Sequence, residues 1–454
     1  MGITQRIYDA SPICLQNMLV SLKGYANIRQ RYGKEYRRYR KFLEEFDRWP
    51  LEKKLEYQRE ETVKFVRFAY ENSPFYRELY KDVDMDSIRT VADLEKLPIV
   101  DKEMLRANID RCTVRGLGPS FYAHTGGTTG KSLSVLQTNR DHMQRMAMLD
   151  HFKSRLGYEH LKMTRATFNG KHIVPADQKK KCFWRYNRAC KQMIYSSFHL
   201  TEENMAYYVE HLNRFKPQSI DGFFTSMCDI AGYIERHKIP LTFTPVGIFP
   251  TSETLTDDGR ALLERVFGCK VYNQYASSEG APFVVDCKEQ VLHVELASGV
   301  FESYGDTDEI LVTSFTTHAT PLIRYRIGDR MVFDPNGTCS CSNDSPIVRS
   351  IEGRKLDFLY TAEGARINAG NVSNLLKYLP NAVIRAQFLQ ETKEEVRLLL
   401  EIDPELYREE YDELLRREFA HKFGLRTRLV IEHVEEIPRE ASGKFRMIKN
   451  NVQE

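Results

Sequence analysis

Ala123-His124-Thr125-Gly126-Gly127-Thr128-Thr129-Gly130-Lys131-Ser132 is the stretch on which the reading of this chain turns. Three glycines, four hydroxyl side chains and one lysine within ten residues build a poor core and a good phosphate cradle. Glycine lets the backbone turn sharply and present bare N–H groups, hydroxyls add donors, and a lysine sets positive charge against phosphate oxygens. Gly130-Lys131-Ser132 fits the end of a P-loop, G-x-x-x-x-G-K-[ST]. That pattern needs its first glycine at position 125, which is threonine, so the spacing is one residue short and a P-loop NTPase is disfavoured. A plain turn between strands is the competing reading, but turns seldom combine Thr-Gly-Gly-Thr-Thr-Gly-Lys. His124, beside the loop, is a candidate supporting group.

Outward from the loop, the bulk composition sets limits. At 454 residues the chain has room for two or three domains, and 42% hydrophobic with 28% charged residues is an ordinary globular balance. A net charge of +3 argues against a general nucleic-acid role. Ile13 to Val20 is interrupted by Gln16 and Asn17, so no signal peptide is expected, and no apolar run is long enough to span a bilayer. Arg6 stands where a myristoylation signal needs Ser or Thr. Nine scattered cysteines, an odd number, fit a reducing compartment, and the cytoplasm is the expected location.

Apolar residues returning every three or four places predict helix over 21–80, broken at Asn72-Ser73-Pro74. Its basic stretch, Arg29 to Lys41, reads as a solvated face, or as a dock for anionic lipid or an acidic partner. Asp101 is an expected N-cap. A second basic cluster (Lys179, Lys180, Lys181, Arg185, Arg188, Lys191) interleaves with Phe183, Trp184 and Tyr186, and reads as a surface loop over an anionic small-molecule site rather than a nucleic-acid groove. From 241 onward, apolar runs alternate with helical stretches, which implies a mostly parallel sheet with sites at its carboxyl ends. Residues 291–334 have hairpin texture, and an α+β unit follows, with strands near 383–390, 396–402 and 427–433 around a helix at 408–422. The boundary falls at Ser350–Arg354, dividing the chain into 1–352, with a helical region over 1–100, and 353–454.

Further motifs follow the loop. Thr251-Ser252-Glu253-Thr254-Leu255 is by itself a helix N-terminus with an acid in its first turn, and Asn273-Gln274-Tyr275-Ala276-Ser277-Ser278-Glu279-Gly280 a polar turn after Val271-Tyr272. Tyr325-Arg326-Ile327-Gly328-Asp329 sets a carboxylate after a turn glycine, and Pro438-Arg439-Glu440-Ala441-Ser442-Gly443-Lys444 a lysine near the C-terminus. In this order, from 125 to 444, the motifs resemble those of the adenylate-forming (ANL) enzymes: acyl-CoA synthetases, adenylation domains of peptide synthetases, and luciferases. Gly353-Arg354-Lys355-Leu356-Asp357 resembles the family's Gly-Arg-x-Asp-Asp hinge but departs from it at Leu356. The segment Phe183–Leu200 and the helix-rich N-terminus are most similar to the phenylacetate–CoA ligase-like branch, and within it to CapK-type proteins associated with polysaccharide biosynthesis.

The resemblance implies an acyl-CoA synthetase-like α/β fold: a large N-terminal α/β domain with mixed sheets, and a small mobile α+β C-terminal domain. It implies that a carboxylic acid attacks the α-phosphate of MgATP, giving acyl-AMP and pyrophosphate. The acyl group then passes to coenzyme A or to an amine of an amino acid or amino sugar. Thr125, Gly126, Gly127, Thr128, Thr129, Gly130 and Lys131 would cradle the pyrophosphate, with Thr128 counted among the catalytic residues. Ser252, Glu253, Asn273, Gln274 and Tyr275 would flank the adenine, the Ser278 hydroxyl meet a phosphate, Glu279 hold Mg²⁺, Asp329 take the ribose with Arg354 near it, and Lys444 bridge carboxylate and α-phosphate. Gly222, Phe223 and Tyr272 are the expected acyl pocket, from position alone.

Cys339-Ser340-Cys341, with Cys287 and His293, forms a Cys₃His set suited to structural zinc, or else buried thiols and a histidine. A different nucleotide enzyme and a catalytically silent scaffold remain the competing classes. The assembly is expected to need no nucleic acid and no transmembrane segment, and a homodimer stays open.

Overall fold

The computed structural model describes residues 3–125, 133–175, 178, 180–352, 358–379, 382–437 and 446–452. Residues 126–132, 353–357 and 438–445, and with them Gly126, Gly127, Thr128, Thr129, Gly130, Lys131, Arg354 and Lys444, lie outside the described residues.

The helical region is cut more finely than its periodicity predicts, into Ile13–Arg31, Lys34–Phe46, Leu51–Asn72 and Pro74–Leu79. Gly33 and Pro50 stand at the N-caps of the second and third helices, where backbone that cannot continue a helix can begin one. Ser73 both ends the third helix and caps the fourth, its Oγ accepting from the Tyr76 N–H at 3.4 Å. The buried faces of these helices, with Tyr39, Leu43, Phe46, Phe65, Val66 and Tyr76, pack in one cluster with the sheet residues Val284, Val312, Tyr325 and Val348. Each such side chain contributes roughly 1.5–3 kcal/mol on leaving water. No helix among the described residues is long and apolar enough to cross a membrane.

Two sheets carry the N-terminal part. The first has five strands in the order Trp184–Asn187, Gln192–Ser196, Arg165–Asn169, Ser219–Phe223, Ile248–Thr251; the last four run parallel, and the edge strand is antiparallel. The parallel sheet expected from 241 onward is a correction: only Ile248–Thr251 of that stretch joins it, the other parallel strands lie earlier in the chain, and Asn169, Phe223 and Thr251 end side by side at its carboxyl edge. The second sheet is largely antiparallel and runs Gly299–Ser303, Glu309–Ser314, Tyr325–Asp334, Ile347–Glu352, Leu292–Val294, Val284–Asp286, Gln274–Tyr275. A short strand, Val100–Asp101, pairs parallel to its long strand, with Val100 opposite Tyr325.

The strands that enter and leave the glycine-rich stretch, Ser120–Thr125 and Leu133–Thr138, form an antiparallel hairpin with Thr125 opposite Leu133. The second basic cluster is a correction to the surface-loop reading. Trp184–Asn187 is a strand, and Arg185, the residue facing inward, is fully buried with Nε donating to Gln16. Strand alternation buries every second residue whatever its charge, and Arg185 is held by Gln16 and by the Cys182 and Trp184 carbonyls.

Beyond residue 358 the chain builds a four-stranded sheet, Arg428–His433, Glu395–Ile402, Val383–Thr392, Ile448–Asn450, under the helix Glu410–Phe423. A small hairpin, Phe358–Tyr360 with Arg366–Asn368, precedes it. This part has its own apolar cluster, including Leu376, Phe388, Leu398, Leu415 and Phe419, joined by Phe198 from the N-terminal part.

Candidate active site

The Tyr275 hydroxyl donates to Asp329 Oδ2 at 2.8 Å. Tyr275 ends a two-residue strand, and Asp329 follows Gly328, whose φ of 84° turns the long strand in a way a side chain resists. Lys102, the first residue of the helix that Asp101 caps, brings its Nζ to 3.9 Å from Glu279 Oε1. Tyr275, Glu279 and Asp329, from two motifs some fifty residues apart, are thus brought to one place with Lys102 beside them.

The turn bearing Glu279 is held from below. Arg145, buried in the helix Asn139–Arg155, donates through Nη1 to the carbonyls of Gly280 at 2.8 Å and Ala281 at 2.9 Å, and through Nη2 to that of Ser277 at 3.4 Å. Burial pulls its guanidinium down to about 10, still a cation at neutral pH. Ser277 Oγ accepts from the Gly280 and Ala281 N–H groups. Gln137, on the strand leaving the glycine-rich stretch, donates to the Ser278 carbonyl at 3.2 Å. The hairpin that carries the loop is therefore tied directly to the turn that carries Glu279.

Asn273 and Gln274 flank the same place. The Asn273 N–H donates to Asp286 Oδ2 at 2.6 Å, which also pairs with Arg260, and burial raises the Asp286 carboxyl to about 6. Gln274 Nε2 donates to the Pro250 carbonyl at 3.0 Å, while its buried Oε1 has no partner among the described residues. Ser252 adopts φ 66°, unusual for a residue with a side chain, just after the strand end at Thr251. Glu253 turns instead toward the helix Phe224–Arg236, accepting from the Thr225 N–H at 2.8 Å and hydroxyl at 2.9 Å. Burial lifts its carboxyl to about 7 against those donors.

The segment Arg366–Asn371 sits over the strand ends. Arg366 pairs with Asp229, Asn368 hydrogen-bonds Glu253, and Gly370 lies beside Phe223. Asn371 reaches Gly170 so closely that a Cβ there would lie 1.6 Å from Asn371 Oδ1. Gly222, at φ 126°, allows its strand to press against the Phe168 carbonyl. Phe223 is buried at this edge, and Tyr272 is buried against Gly247 and Phe249.

Sequence reasoning missed Arg145, Lys102, Gln137 and the 366–371 contacts. A cavity of about 1240 Å³ opens elsewhere, between His172, Phe198 and His199 on one side and His421 and Lys422 on the other, and none of the expected ATP-site residues lines it. Cys287, His293, Cys339 and Cys341 converge, with ligand atoms within 4.8 Å of one another.

Residues 359–451 match the family described as the CapK C-terminal domain. Over 450 residues the chain is 37% identical to Protein CapK of Staphylococcus aureus, which spans 98% of this chain and 99% of that relative. Among solved structures, 2-hydroxyisobutyryl-CoA ligase in complex with 2-HIB-AMP and CoA in the thioesterification state aligns with a TM-score of 0.56 at 16% identity, over 89% of this chain and 91% of that one. The same ligase in the postadenylation state with R3-HIB-AMP aligns at 0.52 and 16%, over 87% and 88%. At that identity the likeness speaks for the fold. The chain belongs to the CapK family and carries the fold of the adenylate-forming acyl-CoA ligases.

Proposed function

We propose that this protein activates a carboxylic acid as acyl-AMP at the expense of ATP and then passes the acyl group to coenzyme A, in the cytoplasm. The observation that supports it most is the Tyr275–Asp329 hydrogen bond beside the Arg145-held turn of Glu279. An ionised carboxylate accepts from two neighbouring hydroxyls at once, so Asp329 suits a ribose, with Arg354 near it. The unpaired Oε1 of Gln274 suits the exocyclic amine of adenine, in a wall with Asn273 and Ser252, while Glu253 supports that wall from behind through Thr225 and the Ser278 hydroxyl suits a phosphate. Glu279 offers the oxygen ligand that Mg²⁺ prefers, and that ion's chemistry is to offset charge on phosphate oxygens.

Thr125 to Lys131 hold the pyrophosphate by backbone N–H groups, hydroxyls and one ammonium. An oxygen of the substrate carboxylate attacks the α-phosphorus, and the bond from that phosphorus to pyrophosphate breaks. Two anions must meet for this, and the Lys444 ammonium between them offsets several kcal/mol of repulsion. Gly222, Phe223 and Tyr272 take the acyl group. The unit 353–454 then acts as a lid that swings to admit the acceptor. The likeness to CapK-type proteins supports a second acceptor, an amine of an amino acid or amino sugar in surface-polysaccharide synthesis.

The test incubates the protein with ATP, Mg²⁺ and a panel of aryl, acyl and amino acids, and identifies nucleotides and adducts by mass spectrometry. Acid-dependent AMP and pyrophosphate support the reading; thioester or amide then names the acceptor. ADP and phosphate, or no turnover with any acid, count against it.

A further inference from the structure

The loop 335–346, between the strands Tyr325–Asp334 and Ile347–Glu352, has no helix or strand, and Ser345 is its one buried residue. Twelve residues of Pro, Asn, Gly, Thr, Cys, Ser and Asp supply no apolar anchor, so the cost of ordering their backbone is not met by packing. The loop nonetheless lies on the neighbouring hairpin, through the Ser345 and Pro346 carbonyls at its end and through its two cysteines. Cys339 Sγ lies 3.6 Å from Cys287 Sγ, just beyond the strand Val284–Asp286, and Cys341 Sγ lies 3.4 Å from Nε2 of His293, in the strand Leu292–Val294.

Those separations have a geometric meaning. A sulfur–sulfur bond is about 2.05 Å, so 3.6 Å is no disulfide. Ligands about 2.3 Å from one zinc in a tetrahedron stand about 3.8 Å apart, close to what is seen. His293 Nδ1 is 3.0 Å from the Ser345 carbonyl, which can only accept, so Nδ1 carries the proton and Nε2 keeps its lone pair toward the sulfurs. The orienting carbonyl belongs to the same loop as Cys339 and Cys341.

We infer that Cys287, His293, Cys339 and Cys341 bind one zinc ion in a closed tetrahedral site that staples the 335–346 loop to the 284–294 hairpin. With four protein ligands there is no open position for substrate, so the ion is structural. What it fixes is specific. Asp286, next to Cys287, holds the Asn273 N–H, and Val284 pairs with Tyr275. The loop joins the strand bearing Asp329 to the strand that ends at Glu352, just before the expected hinge. The ion thus links the adenine-side and ribose-side strands without touching either ligand. This goes beyond the ligase reading and stands or falls separately from it.

The test uses the full chain, expressed with added zinc and purified in reductant. Plasma mass spectrometry should find about one zinc per chain, falling below about 0.1 in Cys341→Ser and in His293→Gln but unchanged in Cys190→Ser, a buried cysteine elsewhere. Because a ligand variant can fail to fold, the wild-type protein is also exchanged with Co²⁺, which should give sulfur-to-cobalt charge-transfer bands and the visible envelope of a tetrahedral thiolate site. Less than about 0.1 zinc per wild-type chain, cobalt spectra without sulfur bands, or a Cys287–Cys339 disulfide in the reduced preparation would overturn the inference.

Discussion

The Tyr275 hydroxyl and the Asp329 carboxylate, 54 positions apart in the chain, meet at 2.8 Å. The contact fixes the aspartate's rotamer before any nucleotide arrives, so its loss should cost affinity modestly and its partner's loss should cost far more. Tyr275→Phe removes about 1 kcal/mol of orientation, or about fivefold in ATP affinity by calorimetry. Asp329→Ala should weaken ATP by well over tenfold.

Arg145 serves the turn of Glu279 with a forked cation. Arg145→Met leaves the Ala281 carbonyl buried without its donor and the Gly280 carbonyl with the Ser314 hydroxyl alone, and should lower stability by about 2 kcal/mol in urea unfolding. Arg145→Lys keeps the charge but not the fork, and should recover less than half of that loss.

Glu253 gives stability a pH slope. Its carboxyl titrates near 4.5 when unfolded and at about 7 in the fold, so the native state holds the proton more tightly across that window. Stability should therefore fall as pH rises from about 4.5 to 7, by at most about 3 kcal/mol, and level off above. Asp286, raised to about 6, adds to the fall. Glu253→Gln should flatten most of the slope in melts taken between those limits, and melt higher than the parent at pH 8; an unchanged slope would contradict this.

Gly170 marks where the C-terminal part meets the strand ends. Gly170→Ala should displace Asn371, since the added carbon falls 1.6 Å from Asn371 Oδ1, and should cost about 1–3 kcal/mol of docking. Hydrogen exchange across 366–373 should speed up in the variant and slow again in the double variant with Asn371→Ala.

The elements legible in the sequence are those written locally. The expected C-terminal strands and helix fall within two or three residues of Val383–Thr392, Glu395–Ile402, Glu410–Phe423 and Arg428–His433, because their periodicity is complete within each element. Tyr275, Glu279 and Asp329 were readable because a family motif fixes residue types at short spacing. Arg145 and Arg185 are not: a periodic pattern shows that a helix or strand has two faces, but which charge goes inward depends on partners far along the chain, the Gly280 and Ala281 carbonyls for Arg145 and the Gln16 amide oxygen for Arg185. Apolar spacing continues through Gly33 and Pro50, which hides both breaks from a reading by periodicity.

The proposed reaction rests on acid-dependent adenylation with Lys444 as its cation. Exchange of labelled pyrophosphate into ATP measures that step without needing the acceptor. Exchange should require both a matching carboxylic acid and Mg²⁺, and should disappear in Lys444→Ala while ATP binding by the variant is largely kept. Exchange at the parent rate in Lys444→Ala would contradict it.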